Sequence, residues 1–191
     1  ENGWAKMAGL RSHQHRAARP VVPHCVIDDL SKEVRTINFP ARALGSGVDG
    51  YVFALAVGGG DLYAGGGFTT AGGVPAANIA KWNGSSWSAL GSGTDGWVQA
   101  LAVNGSDLYA GGSFATAGGV GANFIAKWNG TNWLALGTGM NATVRALAIR
   151  GSDLYAGGEF TTAGGVSANS LATWDGTAWS ALSSGLNYAL A

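Results

Sequence analysis

The stretch Asp107-Leu108-Tyr109-Ala110-Gly111-Gly112 decides the fold, because the same six residues occur again at 61–66 and at 153–158. The tyrosines of the three copies, at 63, 109 and 155, are separated by 46 residues in both intervals. The chain therefore contains tandem units, a pattern that identifies repeat architectures. The units are 44–89, 90–135, 136–181 and a partial 182–191, preceded by a non-repeat N-terminal segment, 1–43.

Two tryptophans per unit keep the same 46-residue spacing. One series is Trp82, Trp128 and Trp174; the other is Trp87, Trp133 and Trp179. Bulky aromatic side chains at constant repeat positions fill the space between neighbouring sheets. We therefore expect both series to belong to the core and not to a ligand site.

Each unit divides into four short apolar segments separated by turn residues. In the second unit these segments are 98–103, 107–114, 124–129 and 132–136. Asn104-Gly105-Ser106 joins the first two, and Asn129-Gly130 joins the last two, a pair suited to the positive φ angles of a type I′ hairpin. A longer loop, 116–122, joins the second and third. Four antiparallel strands every 46 residues predict an all-β fold, a β-propeller built of four-stranded blades.

Composition excludes several classes of partner. Eleven basic residues balance eleven acidic ones, so no net field attracts nucleic acid or an anionic membrane. No apolar run reaches the roughly 18 residues of a membrane-spanning helix, which predicts no membrane insertion. Cys25 is the single cysteine, so no internal disulfide forms. The first residues lack the basic-then-apolar layout of a signal peptide.

The doubled glycine in each unit resembles the Kelch repeat. Gly65-Gly66, Gly111-Gly112 and Gly157-Gly158 each follow a predicted strand and precede aromatic residues on the outer strands. This arrangement is similar to Kelch repeats and to related propeller repeats of secreted bacterial proteins, and the resemblance covers residues 44–191. Trp82 and Trp87 depart from the usual tyrosine-then-tryptophan arrangement, so no subfamily is assigned. The resemblance implies an extracellular or periplasmic location.

Three blades do not close a ring, because propellers use about four to eight. Residues 188–191 begin another first strand, and segments 21–28 and 34–39 of the N-terminal region are candidates to complete that blade. Residues 4–19 are predicted to form a helix or a loose arm. Two alternatives stay open: a homo-oligomer that completes the ring, or a chain cut from a longer multi-blade protein.

Repeat positions that differ between units are free to serve a ligand, whereas constant positions are explained by the blade. In a propeller, the start of strand one and the loop after strand two lie on one face around the central channel. The predicted binding residues on this face are Tyr51, Phe53, Trp97, Gln99, Ser113, Arg145 and Glu159.

Oxygen-bearing side chains recur on the same face at Asp49, Asp95 and Asn141. A ring of such oxygens would suit calcium, and turn formation is the alternative explanation. Glu159 is then the candidate catalytic base. His13, His15, His24 and Cys25 have residue types that suit zinc, but their spacing matches no standard site, so a solvated basic arm is expected.

Segments 45–50 and 91–96 match the G-x-G-x-x-G pattern of dinucleotide-binding proteins. That fingerprint requires a helix after the glycines, and here a strand is predicted to follow. An inter-blade turn is the better interpretation.

Three functions fit the pattern. The first is a non-catalytic recognition module that binds a protein or carbohydrate ligand. The second is a calcium-dependent propeller hydrolase of the lactonase or esterase type, with its site in the central channel. The third is a structural spacer in a surface protein.

Overall fold

The computed structural model describes residues 43–182 of the 191-residue chain. These residues form strands, turns and bends without any helix, arranged as three four-stranded antiparallel sheets and three small two-stranded sheets. The fold is all-β with three blade-like units, consistent with a propeller-like arrangement. None of the described residues lies in a helix with the length and hydropathy needed to cross a membrane. The predicted segments at 4–19, 21–28, 34–39 and 188–191 lie outside the described residues.

All three units contain the same six strands in the same order. The first unit has β1 (Tyr51–Gly58), β2 (Asp61–Gly67), β3 (Thr70–Ala71), β4 (Val74–Pro75), β5 (Ile79–Trp82) and β6 (Trp87–Ala89). The second has β7 (Val98–Asn104), β8 (Asp107–Gly112), β9 (Thr116–Ala117), β10 (Val120–Gly121), β11 (Ile125–Trp128) and β12 (Trp133–Ala135). The third has β13 (Val144–Arg150), β14 (Asp153–Gly158), β15 (Thr162–Ala163), β16 (Val166–Ser167), β17 (Leu171–Trp174) and β18 (Trp179–Ala181).

The four predicted segments of the second unit are confirmed as β7, β8, β11 and β12, which form one sheet in that order. The loop between β8 and β11 also contains a short hairpin, β9–β10, that the sequence analysis did not anticipate. Equivalent hairpins occur in the other two units. The connection therefore folds back as its own small sheet.

The turn between the third and fourth strands is not the predicted two-residue type I′ turn. Trp128 pairs with Trp133, so the turn has four residues, 129–132. Gly130 has a φ of +96°, but Asn129 is not among the residues with positive φ. Instead, Oδ1 of Asn129 accepts hydrogen bonds from the N–H groups of Thr131 and Asn132, at 3.0 and 2.8 Å. The asparagine side chain thus organises a longer turn by bonding the backbone ahead of it.

In the first two units, the two glycines of the doubled pair allow two different close approaches. A Cβ on Gly112 would overlap the carbonyl oxygen of Trp97, which leads into the neighbouring strand of the same sheet. A Cβ on Gly111 would lie 2.5 Å from Cγ1 of Val144, in the next sheet along the chain. Only glycine permits both contacts, so the pair holds strands together within a sheet and sheets together within the repeat.

An indole hydrogen bond ties the end of each unit to its beginning. Nε1 of Trp133 donates to the carbonyl oxygen of Leu90 at 2.8 Å, and the Trp133 side chain is 4% exposed. The Trp128 ring packs against it with a centroid distance of 5.5 Å. Trp87 and Trp179 make equivalent bonds to Leu44 and Leu136. The expectation of a core position is confirmed for Trp82 and for the series Trp87, Trp133 and Trp179, which are buried, whereas Trp128 and Trp174 are partly buried and pack against the core.

Gly112→Ala tests the close approach inside a sheet. The added methyl overlaps a backbone carbonyl, so we expect the free energy of unfolding to fall by about 1–3 kcal/mol. Gly121→Ala is the matched control, because a Cβ there meets nothing within 4 Å and the backbone φ is not positive; its effect should stay within about 0.5 kcal/mol. Urea unfolding followed by tryptophan fluorescence measures both, and equal midpoints would contradict the argument.

Candidate functional site

A β-bulge recurs near the start of the first strand of each four-stranded sheet. In the first sheet Val52 pairs with Gly66 and Ala54 pairs with Gly65, so Phe53 has no partner across the ladder. The same interruption leaves Gln99 unpaired in the second sheet and Arg145 unpaired in the third. A bulge turns its extra side chain away from the regular alternation of the strand. The three bulge residues are therefore freed from sheet pairing.

The bulge residues and Trp97 line one cleft of about 340 Å³. Phe53 comes from the first sheet, Trp97 and Gln99 from the second, and Arg145 from the third, so the cleft crosses all three units. Four of the seven predicted binding residues are thus brought together. Their convergence follows from the repeat, since the first strands of consecutive sheets are neighbours.

Three exposed aromatic rings form one side of the site. The rings of Tyr51 and Phe53 are stacked with an interplanar angle of 7° and centroids 6.1 Å apart. The Trp97 ring is tilted by 53° against Phe53, with centroids 5.6 Å apart. Tyr51 is 73% exposed and Trp97 54% exposed. We call these three residues the aromatic patch; contiguous exposed apolar surface of this kind marks interaction sites.

A polar cluster forms the other side. Nε of Arg145 donates to Oε1 of Glu159 at 3.0 Å, and Nη2 donates to the same oxygen. Nη1 of Arg145 donates to Oε1 of Gln99 at 3.1 Å. We call these three residues the Arg145 cluster. Its two formal charges cancel, and the charge-assisted bonds hold the guanidinium in one orientation.

Ser113 contributes through its backbone and is not among the residues that line the cleft. Its N–H donates to the carbonyl oxygen of Trp97 at 2.9 Å, and Glu159 makes the equivalent bond to Thr143. These bonds join the end of strand two to the start of strand one. The start of strand one and the end of strand two are therefore adjacent, as predicted, while their role in binding stays a prediction.

The candidate calcium ligands are engaged in loop hydrogen bonds. Oδ1 of Asp95 accepts from the N–H groups of Ala115 and Thr116, both at 2.8 Å. Asp49 and Asn141 accept from the equivalent N–H groups, those of Thr69 and Thr70 and those of Thr161 and Thr162. Between residues 43 and 182, no three His, Cys, Asp or Glu side chains are placed to hold a metal together. These bonds join residues 20 or 21 positions apart, so the three side chains fasten the loop after strand two to the segment before strand one and do not form local turns. The calcium hypothesis gains no support from the geometry of residues 43–182.

Two other candidate motifs have separate outcomes. Segments 45–50 and 91–96 form turns that lead into strands β1 and β7, as expected for inter-blade turns. The cluster His13, His15, His24 and Cys25 lies outside the described residues.

The loop hydrogen bonds lower the pKa of two aspartates. For Asp49, the hydroxyl of Thr69 is the largest cause, followed by the N–H of Thr70, and the pKa lies well below its ordinary value. For Asp95, burial raises the pKa, but the N–H groups of Thr116 and Ala115 outweigh it and the net shift is downward. Hydrogen bonds to the charged form explain both shifts.

The double change Asp49→Asn with Asp95→Asn tests this role, since asparagine at 141 already makes the same backbone bonds in the third unit. Each aspartate has a folded-state pKa below its unfolded value of about 3.9. Its stabilising contribution is therefore complete above that value and is lost as the pH falls toward the folded-state pKa. We expect the urea midpoint of the unmodified chain to fall more steeply between about pH 5 and pH 2 than that of the double variant. Parallel pH profiles would refute this.

Comparisons with known proteins yield a similarity to a solved structure and no family assignment. No family model matches it, and no curated protein matches it. Among solved structures, it is similar to the crystal structure of the computationally designed Ika8 protein, with 19% identity and a TM-score of 0.46. The match covers 67% of this chain and 35% of that chain, so the present chain spans about a third of the designed protein.

Proposed function

We propose that the chain is a non-catalytic recognition module of the Kelch-like propeller type, and that the cleft lined by Phe53, Trp97, Gln99 and Arg145 binds its ligand. Of the two ligand classes expected from the sequence, a protein or a glycan, we propose a neutral glycan. The observation that carries the proposal is the convergence of side chains that the repeat does not require.

The aromatic patch supports a sugar ligand. Tyr51 and Trp97 occupy one repeat position, which holds threonine in the third unit, so the fold does not demand an aromatic residue there. Both rings are exposed to solvent in this structure, Tyr51 to 73% and Trp97 to 54%. Aromatic faces stack on the apolar faces of sugar rings while the polar edge of the ring stays accessible.

The Arg145 cluster supports a neutral ligand over an ionic one. Because Glu159 balances the charge of Arg145, the cleft has no net formal charge to attract an anion or a cation. Arg145 has five N–H donors, of which three are used within the described part of the chain. The remaining donors, together with the amide N–H groups of Gln99, suit sugar hydroxyls.

The other two functions remain hypotheses from the sequence. The hydrolase hypothesis assigned Glu159 as the base, but the Glu159 carboxylate is paired with Arg145 in this structure. No contact among residues 43–182 favours the spacer hypothesis over recognition. A glycan ligand also agrees with the extracellular or periplasmic location that the Kelch-like resemblance implies.

Trp97→Ala tests the proposed function on an array of neutral and uronic acid-containing oligosaccharides. We expect the unmodified chain to bind a neutral member, and the variant to bind it at least about tenfold more weakly, because aromatic residues at the centre of a binding site contribute about 2 kcal/mol or more and tenfold corresponds to about 1.4 kcal/mol. Titration calorimetry with that oligosaccharide gives the affinities.

Leu134→Ala is the control, since Leu134 is 41% exposed on β12 and does not line the cleft. Its affinity should be unchanged. Preference for the acidic oligosaccharides would contradict the neutral-ligand argument. Binding that is indifferent to Trp97→Ala, or absence of binding to every saccharide, would contradict the proposed site.

A further inference from the structure

The contact between consecutive sheets is built from a valine and a glycine, and it occurs twice. Val98 on β7 is fully buried against Gly65 on β2, where an added Cβ would lie 2.5 Å from the valine Cγ1. Val144 on β13 is fully buried against Gly111 on β8 with the same distance. The interface is thus a valine inserted into a socket that glycine leaves open.

In the first unit, the valine at this repeat position packs against no glycine of another sheet within residues 43–182. Val52 stands at the repeat position of Val98, yet it is 43% exposed. Leu55 and Val57 are 46% and 44% exposed, whereas their counterparts in the second unit are half-buried. We call Val52, Leu55 and Val57 the valine face.

In the third unit, the glycine at this repeat position receives no valine of another sheet within the described part of the chain. Among residues 43–182, a Cβ on Gly157 would meet nothing nearer than 3.7 Å, although Gly157 stands at the repeat position of Gly65 and Gly111. Ala146 and Ala148 beside it are exposed, while Ala100, the counterpart of Ala146, is 6% exposed. We call Ala146, Ala148 and Gly157 the glycine face.

We propose that a second copy of this chain covers both faces, with Val52 of each copy inserted at Gly157 of the other. The occupant is argued from the chain itself, because the same valine and glycine positions already form this interface twice between its own sheets. The described residues of two copies supply six blades, within the roughly four to eight of known propellers. A two-fold arrangement then leaves neither face free, so growth stops at the dimer.

Sedimentation velocity of the full 191-residue chain tests the mass. We expect twice the 19.2 kDa of one chain. Val52→Asp places a charge on the valine face and should shift the mass to one chain. Val166→Asp is the matched control, because Val166 is 46% exposed but lies on β16, away from both faces; it should remain dimeric.

Gly157→Ala tests the socket without disturbing the fold of one chain, since the methyl has space there. We expect its dimer dissociation constant to rise at least about tenfold, the effect of about 1.4 kcal/mol of overpacking, with an unchanged unfolding midpoint of the monomer. Gly111→Ala, the same change in a filled socket, should instead lower the unfolding midpoint. Mixing the Val52→Asp and Gly157→Ala variants should restore part of the dimer, because that pair retains one intact interface.

Three results would overturn the proposal. A mass of one chain for the unmodified protein at about 100 µM would exclude the dimer, as would a mass that grows steadily with concentration. A monomer destabilised by Gly157→Ala would show that the socket is already filled within the chain.

Discussion

The structure depends on the close approach that the doubled glycine allows on both of its sides. At Gly112 the backbone of the neighbouring strand comes too near for any side chain, and at Gly111 a valine of the next sheet takes the place of a side chain. In the first contact, the carbonyl oxygen of Trp97 lies against Gly112 on strand β8, two residues before the bulge at Gln99. The second contact stacks one sheet on the next. The first contact recurs in all three units, where the carbonyl concerned belongs to the residue two positions before each bulge residue.

The bulge separates the residues that maintain the fold from the residues that vary. A side chain inside a regular ladder faces a fixed neighbour and is constrained by it. Phe53, Gln99 and Arg145 have no ladder partner, so an aromatic, an amide and a guanidinium side chain all fit the same repeat position. The scaffold stays constant while the lining of the cleft differs from unit to unit. Such a division suits a recognition surface on a rigid frame.

Most of the fold could be predicted from the sequence, because its signals are local and occur three times. Turn glycines and the 46-residue period were enough to place the strands of each sheet. The short hairpin β9–β10 was missed because its strands have two residues each, too few for any periodicity. The four-residue turn after Trp128 was missed because the Asn-Gly pair also suits a two-residue turn. The longer turn is stabilised by hydrogen bonds that the side-chain oxygen of Asn129 accepts, and these are not visible in the sequence. The four residues that line the cleft could be predicted because the amino acid at their repeat positions differs between units. The bulge and the Arg145–Glu159 ion pair could not be foreseen, since both depend on contacts between separate strands.

The indole bond from Trp133 to Leu90 has a consequence for how the chain folds and how it arose. It closes a loop of 43 residues and keeps the last strand of a unit beside its own first turn. Each unit therefore fastens its own two ends, and stability adds in increments as each unit packs on its neighbour. A duplicated gene segment that spans one unit would encode both the tryptophan and the carbonyl group that this hydrogen bond joins. Copy number could therefore change during evolution without redesign of the elements that remain.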